Sequence, residues 1–256
     1  MALKIPKAKE IHLKKPPLDE VIFQVKYPPI LRIFQEMPVE FQEAIRGRFP
    51  GLEVEHGIKV LFSSAGNAEK PAAETMPKIF RFYTADRHLN VALAADFLAI
   101  STNRYSRWQD FKRDLGVVEE TFRKIFQPAY ATRIGLRFVN RFTRVNTGSQ
   151  TMQEVLSLFR SELVGLIQTD GWDEPDEVLS KVIISDQNGK LALRTGYGKD
   201  EQGNFFLLDF DYFEDGQKPL DGLLHRVGRY HTRIYDTFRW CLKESSLERF
   251  QHSEGG

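Results

Sequence analysis

Over residues 133–143 the chain alternates strongly enough to define the two faces of a strand. Ile134, Leu136, Phe138 and Phe142 fall on one side; Arg133, Gly135, Arg137, Val139 and Arg141 fall on the other. Successive strand side chains point to opposite faces, so one face demands an apolar cover while the other carries a file of three guanidinium groups. The architecture that suits such a strand is an antiparallel sheet with amphipathic helices packed on one face, an α+β fold.

The rest of the chain supplies the parts. Short β-prone runs are expected over residues 21–27, 53–63, 79–84, 89–94 and 97–102, with residues 85–88 as a hairpin turn. Trp108, Phe111, Leu115, Val118, Phe122 and Ile125 recur at helical spacing, and Pro128 closes that helix. The same spacing in Met152, Val155, Leu156, Phe159, Leu163 and Ile167 predicts a helix behind a Ser149 or Thr151 cap. Three more strands are expected over 178–185, 190–197 and 204–213, then a long helix over 220–242. A shorter helix over 39–49 lies between Pro38 and Pro50, and the small and proline residues of 65–77 read as a loop.

Residues 21–127 and 134–242 thus repeat one order: strand, helix, about three strands, long helix. This predicts two pseudo-repeated halves, 16–130 and 131–250, of one globular unit behind a flexible or strapped-down basic leader, 1–15.

Composition bounds the function. With 36 Lys and Arg against 35 Asp and Glu, no global field steers the chain to nucleic acid or an anionic membrane, so a charged partner must be read by a local patch. The single cysteine, Cys241, excludes an internal disulfide and fits a reducing, cytoplasmic compartment. The leader lacks the apolar run of a secretory signal, and no stretch approaches the roughly 20 apolar residues of a spanning helix.

The opening Pro16-Pro17-Leu18-Asp19-Glu20-Val21-Ile22-Phe23 and the central Arg133-Ile134-Gly135-Leu136-Arg137-Phe138-Val139-Asn140-Arg141 resemble an uncharacterised family of similar-length proteins distributed sporadically among bacteria. That resemblance covers the whole chain. It implies a setting in mobile loci such as defence or toxin-related modules, and it supplies no activity or site residue.

The arginine file is the leading candidate site. Arg81 and Arg194 on other strands can join Arg133, Arg137 and Arg141, with Tyr27, Tyr83 and Tyr197 as stacking partners, in recognising phosphate or carboxylate groups. Arg137 and Arg141 can instead pair across strands with Asp209, Asp211 or other carboxylates on a solvated surface. Asp209 and Asp211 share one strand face and would hold a divalent cation if a third oxygen converged, which no spacing requires.

Asp170, Asp173, Glu174, Asp176 and Glu177 around Trp172 read as a solvated connector. His231 falls between apolar helix positions as a buried histidine, Cys241 reads as packing, and Arg226, Arg229, Arg233 and Arg239 read as solvated positions with buried stems. His225 and His231 are six apart, which does not suit a metal pair on one helix face. Gly196-Tyr197-Gly198 lacks the third glycine of a dinucleotide site and no P-loop occurs, so no cofactor is expected.

Three functions follow in order. The first is a non-enzymatic binding or protein-interaction component of a bacterial locus, acting through the arginine face or exposed aromatics such as Trp172. The second is a nucleic-acid or nucleotide binder. The third is a metal-dependent, nuclease-like enzyme.

Overall fold

Alternating apolar residues assemble one wide sheet. The computed structural model describes residues 3–9, 11–13, 16–55, 58–60, 73–75, 78–250 and 252–253. In chain order the strands are β1 (His12–Leu13), β2 (Leu18–Lys26), β3 (Gly51–Glu55), β4 (Ile58–Val60), β5 (Ala73–Thr75), β6 (Ile79–Tyr83), β7 (Leu89–Leu93), β8 (Phe97–Thr102), β9 (Ala131–Phe142), β10 (Val178–Asp186), β11 (Gly189–Asp200), β12 (Gly203–Lys218) and β13 (His252–Ser253). The helices are α1 (Leu31–Gln35), α2 (Val39–Ile45), α3 (Trp108–Phe126), α4 (Arg144–Thr147), α5 (Met152–Leu156), α6 (Ser161–Val164) and α7 (Leu223–Cys241), with a 3-10 helix over Glu244–Phe250. Nine strands form an open sheet in the order β10-β11-β12-β9-β2-β8-β7-β6-β3, every neighbouring pair antiparallel. The α+β class read from the alternation is the class observed.

Register carries the alternation across the sheet. Leu193 stands opposite Phe210, Phe210 opposite Phe138, and Phe138 opposite Val21, so apolar side chains line up in rows on what we call the inner face. All four are buried. Each large side chain so removed from water contributes about 1.5–3 kcal/mol. Helical rings meet this face: Phe238 of α7 packs edge-on against Phe210 at 6.3 Å, Tyr230 lies 4.8 Å from Tyr212, and Phe122 of α3 lies 4.9 Å from Tyr27. The stripe that predicted α3 is the stripe it buries, from Trp108 to Phe122. Gln127, in the left-handed conformation at φ 46°, and then Pro128 end the helix.

The expected helix over 152–167 is two short helices instead. Thr151 caps the first by accepting from Glu154 N at 3.1 Å. The chain then leaves the helix because the backbone pairs elsewhere: Arg160 N donates to Cys241 O at 3.1 Å and Lys243 N to Leu158 O at 2.9 Å. That pairing seats the Phe159 ring 4.7 Å from Phe142 and 4.6 Å from Phe206. The expected strand over 53–63 also divides, because β3 joins the main sheet whereas β4 pairs with β5. Most of the expected loop over 65–77 lies outside the described residues.

The leader is tied to α7. Ala8 N donates to Asp236 Oδ1 at 2.9 Å, and Ile11 N donates to the Tyr235 hydroxyl at 2.9 Å. Arg239 Nη1 reaches Lys9 O at 3.1 Å, and Arg233 holds Asp186 at 3.0 Å, so these two arginines bind other segments rather than standing in solvent. Among the described residues, no helix is long and apolar enough to cross a membrane.

Candidate functional site

The face opposite the apolar rows brings four of the five candidate arginines together. Arg133, Arg137 and Arg141 descend β9, with Arg194 two strands away on β11 and Asp209 and Asp211 on β12 between them. Directly opposed residues place Asp211 beside Arg137 and Asp209 beside Val139. The hydrogen bonds from β9 run along the diagonal, whereas Arg194 on β11 stands directly opposite Asp209. Arg137 Nε donates to Asp209 Oδ1 at 2.7 Å and Nη2 to Oδ2 at 2.8 Å, the bidentate geometry in which guanidinium and carboxylate match best. Arg194 Nη1 donates to the same carboxylate at 2.9 Å.

Asp209 is therefore the centre of the network. Its side chain is 1% exposed, while Arg137 above it is 43% exposed and Arg194 is 34% exposed. A carboxylate taken this far out of water is stable only when its oxygens are bonded, and three guanidinium N–H groups do so here. The bond to Asp209 also raises the pKa of Arg137 above the ordinary guanidinium value.

Arg133 makes a second clamp, donating from Nη2 to both oxygens of Asp211 at 3.0 Å. Gly135 permits this, because a Cβ at that position would stand 2.5 Å from Arg133 Nη1. The same guanidinium lies 4.8 Å from the centre of the Phe213 ring. Arg141 pairs with neither Asp209 nor Asp211 but with another carboxylate, Asp200. Its Nη2 lies 2.7 Å from Asp200 Oδ2 without the alignment of a hydrogen bond, and its guanidinium rests 4.1 Å above Phe205.

Arg81 is not part of this cluster. It lies on β6, four strands from β9 in the sheet order, on the order of 19 Å away at normal strand spacing, where it pairs with Glu55. The proposed stacking tyrosines are elsewhere too. Tyr27 and Tyr197 are buried, with Tyr27 donating to Ala94 O at 2.8 Å and Tyr197 to Glu174. Tyr83 lies under Arg87 at 4.0 Å. Glu174 accepts the Tyr197 bond within the irregular segment over 170–177, where it is exposed.

The aromatic members that the sequence reading missed are Phe205 and Phe213, and the missed acids are Asp215 and Asp200. Phe205, Phe213 and Asp215 share the strand parity of Asp209 and Asp211, so the alternation already contained them. Asp200 ends β11 beside the turn, and nothing in the periodicity points to its pairing with Arg141.

Chemically, this face offers preorganised hydrogen-bonding edges and half-buried apolar side chains, including Ile22, Val139, Leu207, Phe205 and Phe213. Asp209 and Asp211 are both engaged by guanidinium groups, and among the described residues no group of three or more His, Cys, Asp or Glu could hold a metal. Comparison with protein-family models and with curated proteins finds no match.

Proposed function

We propose that this protein is a non-enzymatic binding component that docks another protein on the outer face of its sheet. The observation that carries the reading is charge balance within an otherwise accessible guanidinium–aromatic surface. Arg133, Arg137, Arg141 and Arg194 are matched by Asp200, Asp209, Asp211 and Asp215. A polyanion draws its affinity from cationic groups that replace its counterions, and a neutralised cluster offers few. A protein interface instead concentrates arginine and aromatic side chains over an apolar floor, the mixture found here. Nucleic acid or nucleotide is therefore the second reading, and metal chemistry the third.

The sheet order supports a duplicated origin for this surface. In β10-β11-β12-β9 and β6-β7-β8-β2, a three-strand meander lies beside the first strand of its own half, and the two first strands, β2 and β9, pair at the centre. The inner-face ring contacts of α3 and α7 support helices packed on that side alone, leaving the outer face as the place for a partner. The resemblance to the bacterial family makes a cytoplasmic protein of the same locus the partner to seek.

Blocking the face tests this. Ala99 and Ser101 are half-buried outer-face positions on β8, two strands from the arginine file of β9. The double variant Ala99→Arg, Ser101→Glu is expected to keep its thermal midpoint and to weaken a co-purified native partner about tenfold or more. A partner released by nuclease, or bound equally by the variant, would reject the reading.

A further inference from the structure

The opposite side of the sheet carries a second site, unrelated to the arginines. A cleft of about 750 Å³ opens between β9, the start of α3 and the middle of α7, with the leader along its rim. Packed interiors leave few voids larger than a water molecule, and ligand pockets span about 300–1,000 Å³. The cleft is of ligand size. One part of its lining is a set of rings, Tyr105, Trp108, Phe138, His231, Tyr235 and Phe238, and another is aliphatic, from Ile11, Leu13, Leu18 and Ile234.

These rings are held in place by one another. Trp108 and His231 stack with centroids 4.5 Å apart and planes 10° from parallel, and Phe138 supports the imidazole at 5.8 Å. Tyr105 stands edge-on to Phe138 at 5.5 Å. The Tyr235 hydroxyl accepts from Ile11 N and donates to Lys9 O, so the leader fixes the orientation of that ring.

Among the described residues, two buried polar side chains line this cleft: Asn140, whose Nδ2 donates to Leu208 O at 3.2 Å, and His231. His231 is 8% exposed, and the Tyr105 hydroxyl lies 3.5 Å from Nε2, the outer limit of a hydrogen bond. A buried polar group with so long a contact retains capacity for a shorter one. Burial keeps the imidazole neutral, with its pKa lowered to about 4. Among the described lining residues the one cationic side chain, Arg107, is exposed and turned to Asp110 at 3.3 Å, so these residues present no fixed charge to the interior.

We propose that this cleft binds a small, uncharged molecule with a planar aromatic ring, whose polar edge hydrogen-bonds to the imidazole of His231. Aromatic walls favour a flat ring over a saturated chain through offset and edge-on contacts. The neutral lining favours an uncharged molecule over a phosphate, which would enter unpaired. A histidine edge favours a ligand with a hydroxyl or ring N–H over its hydrocarbon analogue.

The test uses the full chain and two probes, 2-naphthol and naphthalene, followed by calorimetry and by the imidazole proton resonances at neutral pH. The expected result is saturable binding of one naphthol per chain, a shift of the His231 resonances, and weaker binding of naphthalene. His231→Phe should erase the preference for naphthol while still binding naphthalene. Gln109→Trp, an exposed residue at the cleft, should weaken both probes about tenfold or more, whereas Val117→Trp, exposed elsewhere on α3, should change neither. Absence of saturable binding would overturn the proposal, as would equal binding by Gln109→Trp. Displacement of naphthol by a more tightly held n-decanol would overturn the aromatic assignment.

Discussion

Asp209→Ala is expected to lower the stability of the fold by on the order of 3 kcal/mol in urea unfolding. The carboxylate is 1% exposed and accepts three hydrogen bonds from Arg137 and Arg194. Its removal strands two guanidinium groups over a small void. Both are partly exposed, so water recovers some of their solvation and the loss stays below that of a fully buried pair.

Two further variants separate the causes. Arg137→Met should cost only about 1–1.5 kcal/mol, because Arg194 still holds the carboxylate and the methionine retains the apolar stem. Asp209→Leu combined with Arg137→Met should recover much of the Asp209→Ala loss, since an ion pair exchanged for packed apolar groups is often neutral. A loss below about 0.5 kcal/mol for Asp209→Ala would mean that the network contributes nothing beyond ordinary surface pairs.

The second large effect is a pH dependence carried by His231. Its described neighbours are Tyr105, Trp108, Phe138 and Tyr235, none of them a carboxylate, and burial lowers its pKa to about 4. The unfolded chain binds the same proton near pH 6.5. Above that value both states are neutral and His231 adds no pH dependence. As pH falls from 6.5 towards 4 the unfolded state alone takes up the proton, so stability declines, by on the order of 3 kcal/mol in all. Below 4 both states are protonated and the loss levels off.

His231→Phe removes that proton and keeps a ring against Trp108. Unfolding curves across pH 7.5 to 4.5 should show a shallower decline in the variant, by up to about 1.4 kcal/mol per pH unit, over whatever slope the carboxylates impose. Parallel declines would mean that His231 titrates as in water.

Much of this fold was legible because its signals are local. The two-residue period of residues 133–143 gave both faces of β9, and the stripe from Trp108 to Phe122 gave α3. The helix over 152–167 failed because a tertiary backbone pairing with Cys241 and Lys243 outweighed a local period. At the outer face, parity put Arg133, Arg137 and Arg141 on one side of β9 and Asp209 with Asp211 on one side of β12, and the sheet order made those strands neighbours. Only the sheet order could show that Arg81 sits four strands from β9 and that Arg141 turns to Asp200. The aromatic cleft was illegible for a similar reason. Trp108, Phe138 and His231 each read as core positions of separate elements, and their convergence around a space appears only after packing.

The most direct test of the central claim places a photo-crosslinker on each side of the sheet. Gln24 and Val139 lie on the outer face of β2 and β9, and Val117 is exposed on α3. With the protein expressed in its native host, the predicted result is one protein crosslinked from Gln24 and Val139 and not from Val117, unchanged by nuclease. Crosslinking from Val117 alone, or nucleic acid as the sole adduct at Gln24 and Val139, would contradict the account.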